Sequence, residues 1–260
     1  GLEKGRQASL PSSLSGLRGY DTFWRLFAVI AAAWLPQILI RYPGVLMWDS
    51  YMQIKQFMGE AERVSSHPPF GTLVYGLLAW LGEAAGNRNL VYFGFTLLQC
   101  AAYIAVVSYT LCVMRRLGAP GWVRLTALLL YALSPCYAGW ATVIAKDTMF
   151  QIPFLLMVTL LWEFLRDRKG FFESWRRPVL LGASFLVMAL SRHNGLPLAA
   201  AVLAVMLLML VRERERRRAA LRLFACGALS LATAVGVEAA ISAALGIQDR
   251  YMQDILSLPF

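Results

Sequence analysis

Four short stretches place ionisable side chains in a chain that is otherwise strongly apolar. Residues 45–59 read VLMWDSYMQIKQFMG and residues 64–70 read VSSHPPF, which brings Asp49, Lys55 and His67 close together in sequence. YAGWATVIAKDTMF carries Lys146 and Asp147; SRHNG carries Arg192, His193 and Asn194; IQDRYMQD carries Asp249, Arg250 and Asp254. These residue types suit two kinds of chemistry. A carboxylate within reach of a hydroxyl can act as a general base. Fixed cations can neutralise charge that develops on a leaving group, Arg by bidentate contact and Lys as a point charge. Each stretch also has a structural reading. Asp49 can cap the helix that DSYMQIKQFMG predicts, and HPP can end one helix and start another. Lys146 and Asp147 can pair locally at a helix start, where the dipole favours Asp147. Arg192 can anchor in headgroups by snorkelling, and Arg250 and Asp254 can be solvated loop charges.

The elements that must position these groups are membrane helices. The chain is 58% hydrophobic and 15% charged, with mean hydropathy +0.56. Soluble domains are roughly half apolar and about 25% charged. Apolar runs occupy about residues 22–40, 69–85, 90–114, 123–141, 149–165, 179–190, 196–211 and 221–244. Most are long enough, or nearly so, to cross a bilayer. The expected fold is all-α, a polytopic membrane helical bundle.

The run at 69–85 is the weak one, with Gly71, Gly76, Gly82 and a terminal Glu83. The positive-inside rule decides whether it spans. With the N-terminus cytoplasmic and 69–85 not spanning, 18 of the 25 Lys and Arg fall inside and 7 outside; if it spans, 8 fall inside and 17 outside. The first arrangement obeys the rule. About seven spanning helices follow, plus juxtamembrane helices in an outer loop at 41–89, where Phe70, Tyr75 and Trp80 suit the interface. The net charge of +10 then resides mainly in RRLGAPGWVR, RDRKGFFESWRR and RERERRRAALR. These loops act as topology signals, with anionic headgroups of membrane lipids as secondary partners. No RNA-binding motif interrupts the apolar pattern, so nucleic acid is not an expected partner.

This topology places all four polar stretches on one face. SRHNG lies between runs of only about 12 and 16 residues. A full span wants about 20, so the turn is expected to sit in a depression below the outer surface. Ionisable groups at that depth are expensive, which favours a functional site over the separate structural readings. Glu238, inside the last run, is expected to make a buried polar contact. Cys100, Cys112, Cys136 and Cys226 form no CxxC pair and are expected to pack as small apolar residues. Residues 1–21 read as a polar cytoplasmic tail rather than a signal peptide. The chain opens on Gly1 and stops at Phe260 soon after an apolar run, which suggests a transmembrane domain over 22–260 that is truncated at its C-terminal end.

A further signal lies in the order of motifs. MWDSY follows the first run, then SHPPFGTLVYGLLAWLG, a run ending in RRLG, a run ending in LLLYALSP, and ATVIAKDTMF. Over roughly residues 22–165 this order resembles the GT-C superfamily of integral-membrane glycosyltransferases, which includes protein O-mannosyltransferases and lipid A aminoarabinose transferases. The resemblance implies a polyprenyl-phosphate-linked sugar as donor, a lipid, glycan or protein as acceptor, and an active face on the periplasmic or extracellular side of a bacterial plasma membrane. It assigns Asp49 as the catalytic acid of the first outer loop. It places His67 where some relatives have Lys before the Pro-Pro element, and Asp147 as the acid that opens the later helix. Many relatives carry two first-loop acids. Here Ser50 and Tyr51 follow Asp49, with no second acid until Glu60. No cofactor is therefore assigned, and a divalent metal, if used, would fall to Asp49 and Asp147.

On this reading Asp49 is the general base in an inverting transfer. Lys146, Arg192, His193 and His67 hold the phosphate, with Asp147 among them. A transporter or flippase for a lipid-linked or anionic solute is the alternative, since the interrupted helix at SRHNG fits that class. A non-catalytic scaffold leaves the outer clusters without a role.

Overall fold

The computed structural model describes residues 22–211 and 217–248. The described residues form eleven helices and two strands of two residues each. In order these are α1 (Phe23–Ile40), β1 (Val45–Leu46), α2 (Trp48–Met58), α3 (Pro69–Ala84), α4 (Arg88–Arg116), α5 (Gly121–Leu133), α6 (Pro135–Ala141), β2 (Val143–Ile144), α7 (Lys146–Arg166), α8 (Arg168–Glu173), α9 (Arg176–Ser191), α10 (Gly195–Val211) and α11 (Arg217–Leu245). Among the described residues the regular structure is helical apart from the β1–β2 pair and one isolated bridge between Val64 and Gln248. Four helices, α1, α4, α7 and α11, are long and apolar enough to cross a membrane, and α5 and α10 are shorter apolar helices. A helix satisfies its own backbone in lipid, which is why apolar runs of this length take that form.

The apolar runs map onto helices with one correction. Residues 123–141 form two helices rather than one. Ser134 is extended (ψ 122°) because Pro135 follows it, and Pro135 then opens α6 at its first turn. α2 begins at Trp48 with Met47 at its N-cap, so Asp49 lies inside the first turn and does not cap by side chain. α3 forms as expected. Trp80 is exposed, but Tyr75 is fully buried and its hydroxyl lies 3.1 Å from Met149 Sδ, so Tyr75 is a core residue and not an interface aromatic.

The described residues form three apolar clusters, a small one at Ala189, Leu190 and Ala234 and two large ones. One gathers Leu26, Ile30, Trp34, Tyr103 and Val107 from α1 and α4, with α5 and α6 closing it. The other gathers Leu160, Phe164, Phe185, Met188 and Met206 from α7, α9 and α10, with Phe171 and Leu223. Lipid tails are as apolar as leucine, so close packing and interhelical hydrogen bonds must hold such a bundle. Trp34 Nε1 donates to Tyr131 O (2.9 Å), and Thr110 and Thr159 share a 2.8 Å hydrogen bond between α4 and α7. Packing is close between α2 and α3, where a Cβ on Gly76 would meet Phe57 Cγ at 2.0 Å. Among the cysteines, Cys100 is buried as expected, whereas Cys136 is exposed.

Candidate functional site

The short strands explain how two distant stretches meet. β1 and β2 pair in parallel, Val45 opposite Val143 and Leu46 opposite Ile144. Each strand runs within two residues into a helix, so α2 and α7 begin beside one another. Ser50 Oγ, buried, donates to Ile144 O at 2.9 Å and ties the two starts together. Lys146 Nζ consequently sits 2.8 Å from Asp49 Oδ2.

His67 joins the same pair. Pro68 and Pro69 set the start of α3, and Gln53 Nε2 donates to Pro68 O at 3.3 Å, which holds that start against α2. Lys146 Nζ is 2.8 Å from His67 Nδ1. An ammonium only donates, so Nδ1 accepts and the neutral ring carries its proton on Nε2. The hydrogen bond from Lys146 holds the Asp49 carboxyl below the usual carboxylate range, against an opposing effect of partial burial. Burial, and then the Lys146 charge, push His67 below its ordinary value. Lys146 therefore faces an ionised carboxylate and a neutral imidazole at pH 7.

The second half of the site comes from the turn between α9 and α10. α9 ends at Ser191, Arg192 is extended, and Gly195 N donates to Arg192 O at 2.8 Å. A Cβ at Gly195 would lie 1.9 Å from Met188 O, so only glycine lets the chain close this turn. Arg192 Nη1 approaches Asp147 Oδ1 to 2.7 Å, a charge contact too poorly angled to be a hydrogen bond. His193 Nε2 lies 3.2 Å from Ser65 O and donates to it, since a carbonyl only accepts.

Three of these groups, Lys146, Arg192 and His193, line one cavity of about 160 Å³ together with Ser66, Pro68 and Asn194, and Asp49, His67 and Asp147 reach it through their contacts with Lys146 and Arg192. α3, α7 and α10 all begin at or beside its lining residues, and α3 and α7 have no side-chain cap. Uncapped first turns present backbone N–H groups and positive dipole ends, a natural setting for an anion. All six expected site residues, Asp49, His67, Lys146, Asp147, Arg192 and His193, thus gather at one place. The ion pairs are also not the local ones: Lys146 pairs with Asp49 and Arg192 with Asp147.

The donor set does not suit a divalent metal. Asp49 and Asp147 each face a cation instead of each other, and no group of three His, Cys, Asp or Glu converges among the described residues. Lys55 does not join the site; it lies over the Tyr51 ring, 4.9 Å from its centroid. Asp249, Arg250 and Asp254 lie outside the described residues.

Sequence reasoning missed Arg63. Its Nε donates to Gln56 O and its Nη1 to Leu245 O, both at 3.0 Å, so one guanidinium caps the C-terminal ends of α2 and α11. Gln248 N bonds Arg63 O, and Ser65 N bonds Gln248 O. This clasp holds Ser65, the partner of His193. Gly59, just past the end of α2, signals that stop, but no pattern marks Arg63 as the cap.

A second polar cluster lies at the other end of α7. A 21-residue helix is about 30 Å long. There Glu163 accepts from Tyr109 Oη (2.6 Å) and pairs with Arg116 (3.0 Å) and Arg177 (3.5 Å). Arg116 and Arg177, read above as topology signals, have this carboxylate as their partner.

No curated protein and no solved structure matches the chain. One family model matches residues 64–251, a stretch that takes in His67, Lys146, Asp147, Arg192 and His193 and begins after Asp49. Since that match covers most of the chain, the protein belongs to the family described as Family of unknown function (DUF6020).

Proposed function

We propose that this chain is a membrane glycosyltransferase of the GT-C type, moving a sugar from a polyprenyl-phosphate-linked donor to an acceptor hydroxyl. The observation that carries the reading is that Lys146, Arg192 and His193 line one cavity while Asp49 and His67 contact Lys146 and Asp147 contacts Arg192, although 143 residues separate Asp49 from Arg192. The proposed arrangement has seven crossings: α1, α5 with α6, α4, α7, α9, α10 and α11. α2 and α3 form the outer loop layer, the N-terminus is cytoplasmic, and the site faces the periplasm or cell exterior of a bacterial plasma membrane. The distribution of Lys and Arg supports this orientation.

In this mechanism the donor phosphate enters the cavity at the helix starts and takes hydrogen bonds from Lys146 and Arg192, while His193, held on Ser65 O, shapes the wall. Lys146 then shares itself between phosphate and carboxylate, so its hold on Asp49 loosens and Asp49 becomes a stronger base when the donor is bound. The acceptor oxygen attacks the anomeric carbon. The carbon–oxygen bond to phosphate breaks, its electron pair leaves on the phosphate oxygen, and the acceptor proton passes to Asp49. One direct displacement inverts the anomeric centre. His67, neutral, anchors Lys146 from the far side.

The test is Asp49→Asn, assayed in membranes with a panel of radiolabelled polyprenyl-phosphate sugars. Transfer should fall by about 10²–10⁴-fold, the scale of a lost general base, with expression intact. Turnover at the wild-type rate would remove Asp49 from the role. A transporter or flippase remains the second reading because α9 and α10 are interrupted at the site. Against it, the site cavity and the cavity beside Glu163 lie at opposite ends of α7 and share no lining residue.

A further inference from the structure

Glu238 has no role in the site described above. It lies in α11, seven residues before Leu245, or about 10 Å along the helix from that end. Its Oε1 is shielded from solvent and has no hydrogen-bond partner among the described residues. The expected buried polar contact is therefore missing at that oxygen. Glu238 instead lines a small lateral cavity of about 80 Å³, whose other walls are Ala189, Leu196, Ala234, Val235 and His193. Val235 is 54% exposed on the outer surface of α11, which puts the mouth of the cavity on the face a bilayer covers. His193 lines both this cavity and the site cavity, so one imidazole forms the wall between them.

We infer that the lateral cavity receives the hydroxyl-bearing headgroup of a lipid entering from the bilayer, with Glu238 as its polar anchor. Identifying that lipid as the acceptor rests on the glycosyltransferase reading; the binding itself does not. Three observations carry the inference. A carboxyl oxygen at membrane depth needs a donor, and a hydrocarbon tail has none. Four of the walls are apolar side chains, and the exposed Val235 lies on a helix long and apolar enough to cross a membrane, which favours an amphiphile over a water-soluble glycan. The shared His193 wall puts a headgroup held by Glu238 next to the cavity where the donor phosphate is proposed to sit. The volume fits a hydroxyl with its carbon and not a whole sugar.

The experiment measures lipid retention by the purified full chain, using native mass spectrometry. The probes are monoolein, which carries two hydroxyls, methyl oleate, which has the same chain and no donor, and farnesyl phosphate. The wild type should retain monoolein over methyl oleate by roughly tenfold, the scale of one satisfied polar group. Glu238→Leu should bring the two near parity and leave farnesyl phosphate unchanged. Val235→Trp, which narrows the mouth from an exposed position, should do the same without disturbing the core. A Glu238→Leu protein that keeps the preference overturns the inference, as does a wild type with none. If monoolein retention depends on Glu238 but farnesyl phosphate is not held, the lateral site stands and the donor reading falls. If farnesyl phosphate is held and monoolein is not preferred, only the lateral site falls.

Discussion

α7 carries a charged cluster at each end, built from the same residue types and finished in opposite ways. At the start, the Asp49 and Asp147 side chains remain 46% and 37% exposed beside a cavity, each facing one cation. At the other end, the Glu163 side chain is 7% exposed and ringed by one hydroxyl and two guanidinium groups. A carboxylate that is already fully partnered has nothing left to offer a ligand, and it braces α4, α7 and the start of α9. A carboxylate with one cation and open space can exchange that partner for substrate. The lesson is that charge alone does not mark a site in a membrane bundle; incomplete satisfaction beside a cavity does.

The largest effect that could break this comparison is at the closed end. Glu163→Leu should lower stability by about 3 kcal/mol, the low end for one partner removed from a buried pair, because Arg116 can turn to water. Thermal unfolding in detergent measures it, and a loss well under 1 kcal/mol would mean that the ring is not a brace. The Arg63 clasp comes next. Arg63→Met removes two hydrogen bonds to carbonyls and should cost about 1–3 kcal/mol. Hydrogen exchange at the Ser65 and Gln248 amides should speed up in the same variant, and unchanged exchange there would separate the clasp from the site. The smallest effect is a pH dependence at the open end. The pKa of His67 is lower folded than its ordinary 6.5, so the unfolded chain binds the extra proton first. Stability is then intact above pH 6.5 and falls as pH drops through the folded value, where an imidazolium would face the Lys146 ammonium. The unfolding midpoint should drop by about 1–2 °C between about pH 7.5 and 5.5, and His67→Gln should flatten that slope.

Most helices were legible in the sequence because lipid imposes length and apolar content on them. α1, α4, α7 and α11 follow runs whose ends lie within a few residues of those read by eye. The grouping of site residues was also legible, because the charge count placed Asp49, Lys146 and Arg192 at one end before any contact was known. The pairing was not. Two strands of two residues have no periodicity to detect, yet they set Asp49 against Lys146. The break at Ser134-Pro135 could have been read from the proline, and a continuous apolar run hid it. Arg116 and Arg177 obeyed the positive-inside rule so well that their second role, around Glu163, left no separate trace. Lys55 shows that nearness in sequence to Asp49 does not by itself bring a charge to the site.

The most direct test of the central claim is equilibrium binding of radiolabelled farnesyl phosphate to the purified wild type, Arg192→Met and Arg116→Met proteins. On the proposed function the open end of α7 takes an anion and the closed end does not, so Arg192→Met should weaken binding by about tenfold or more, the loss of one charged hydrogen bond, while Arg116→Met stays at wild type. Equal weakening in both variants, or in neither, would contradict the account.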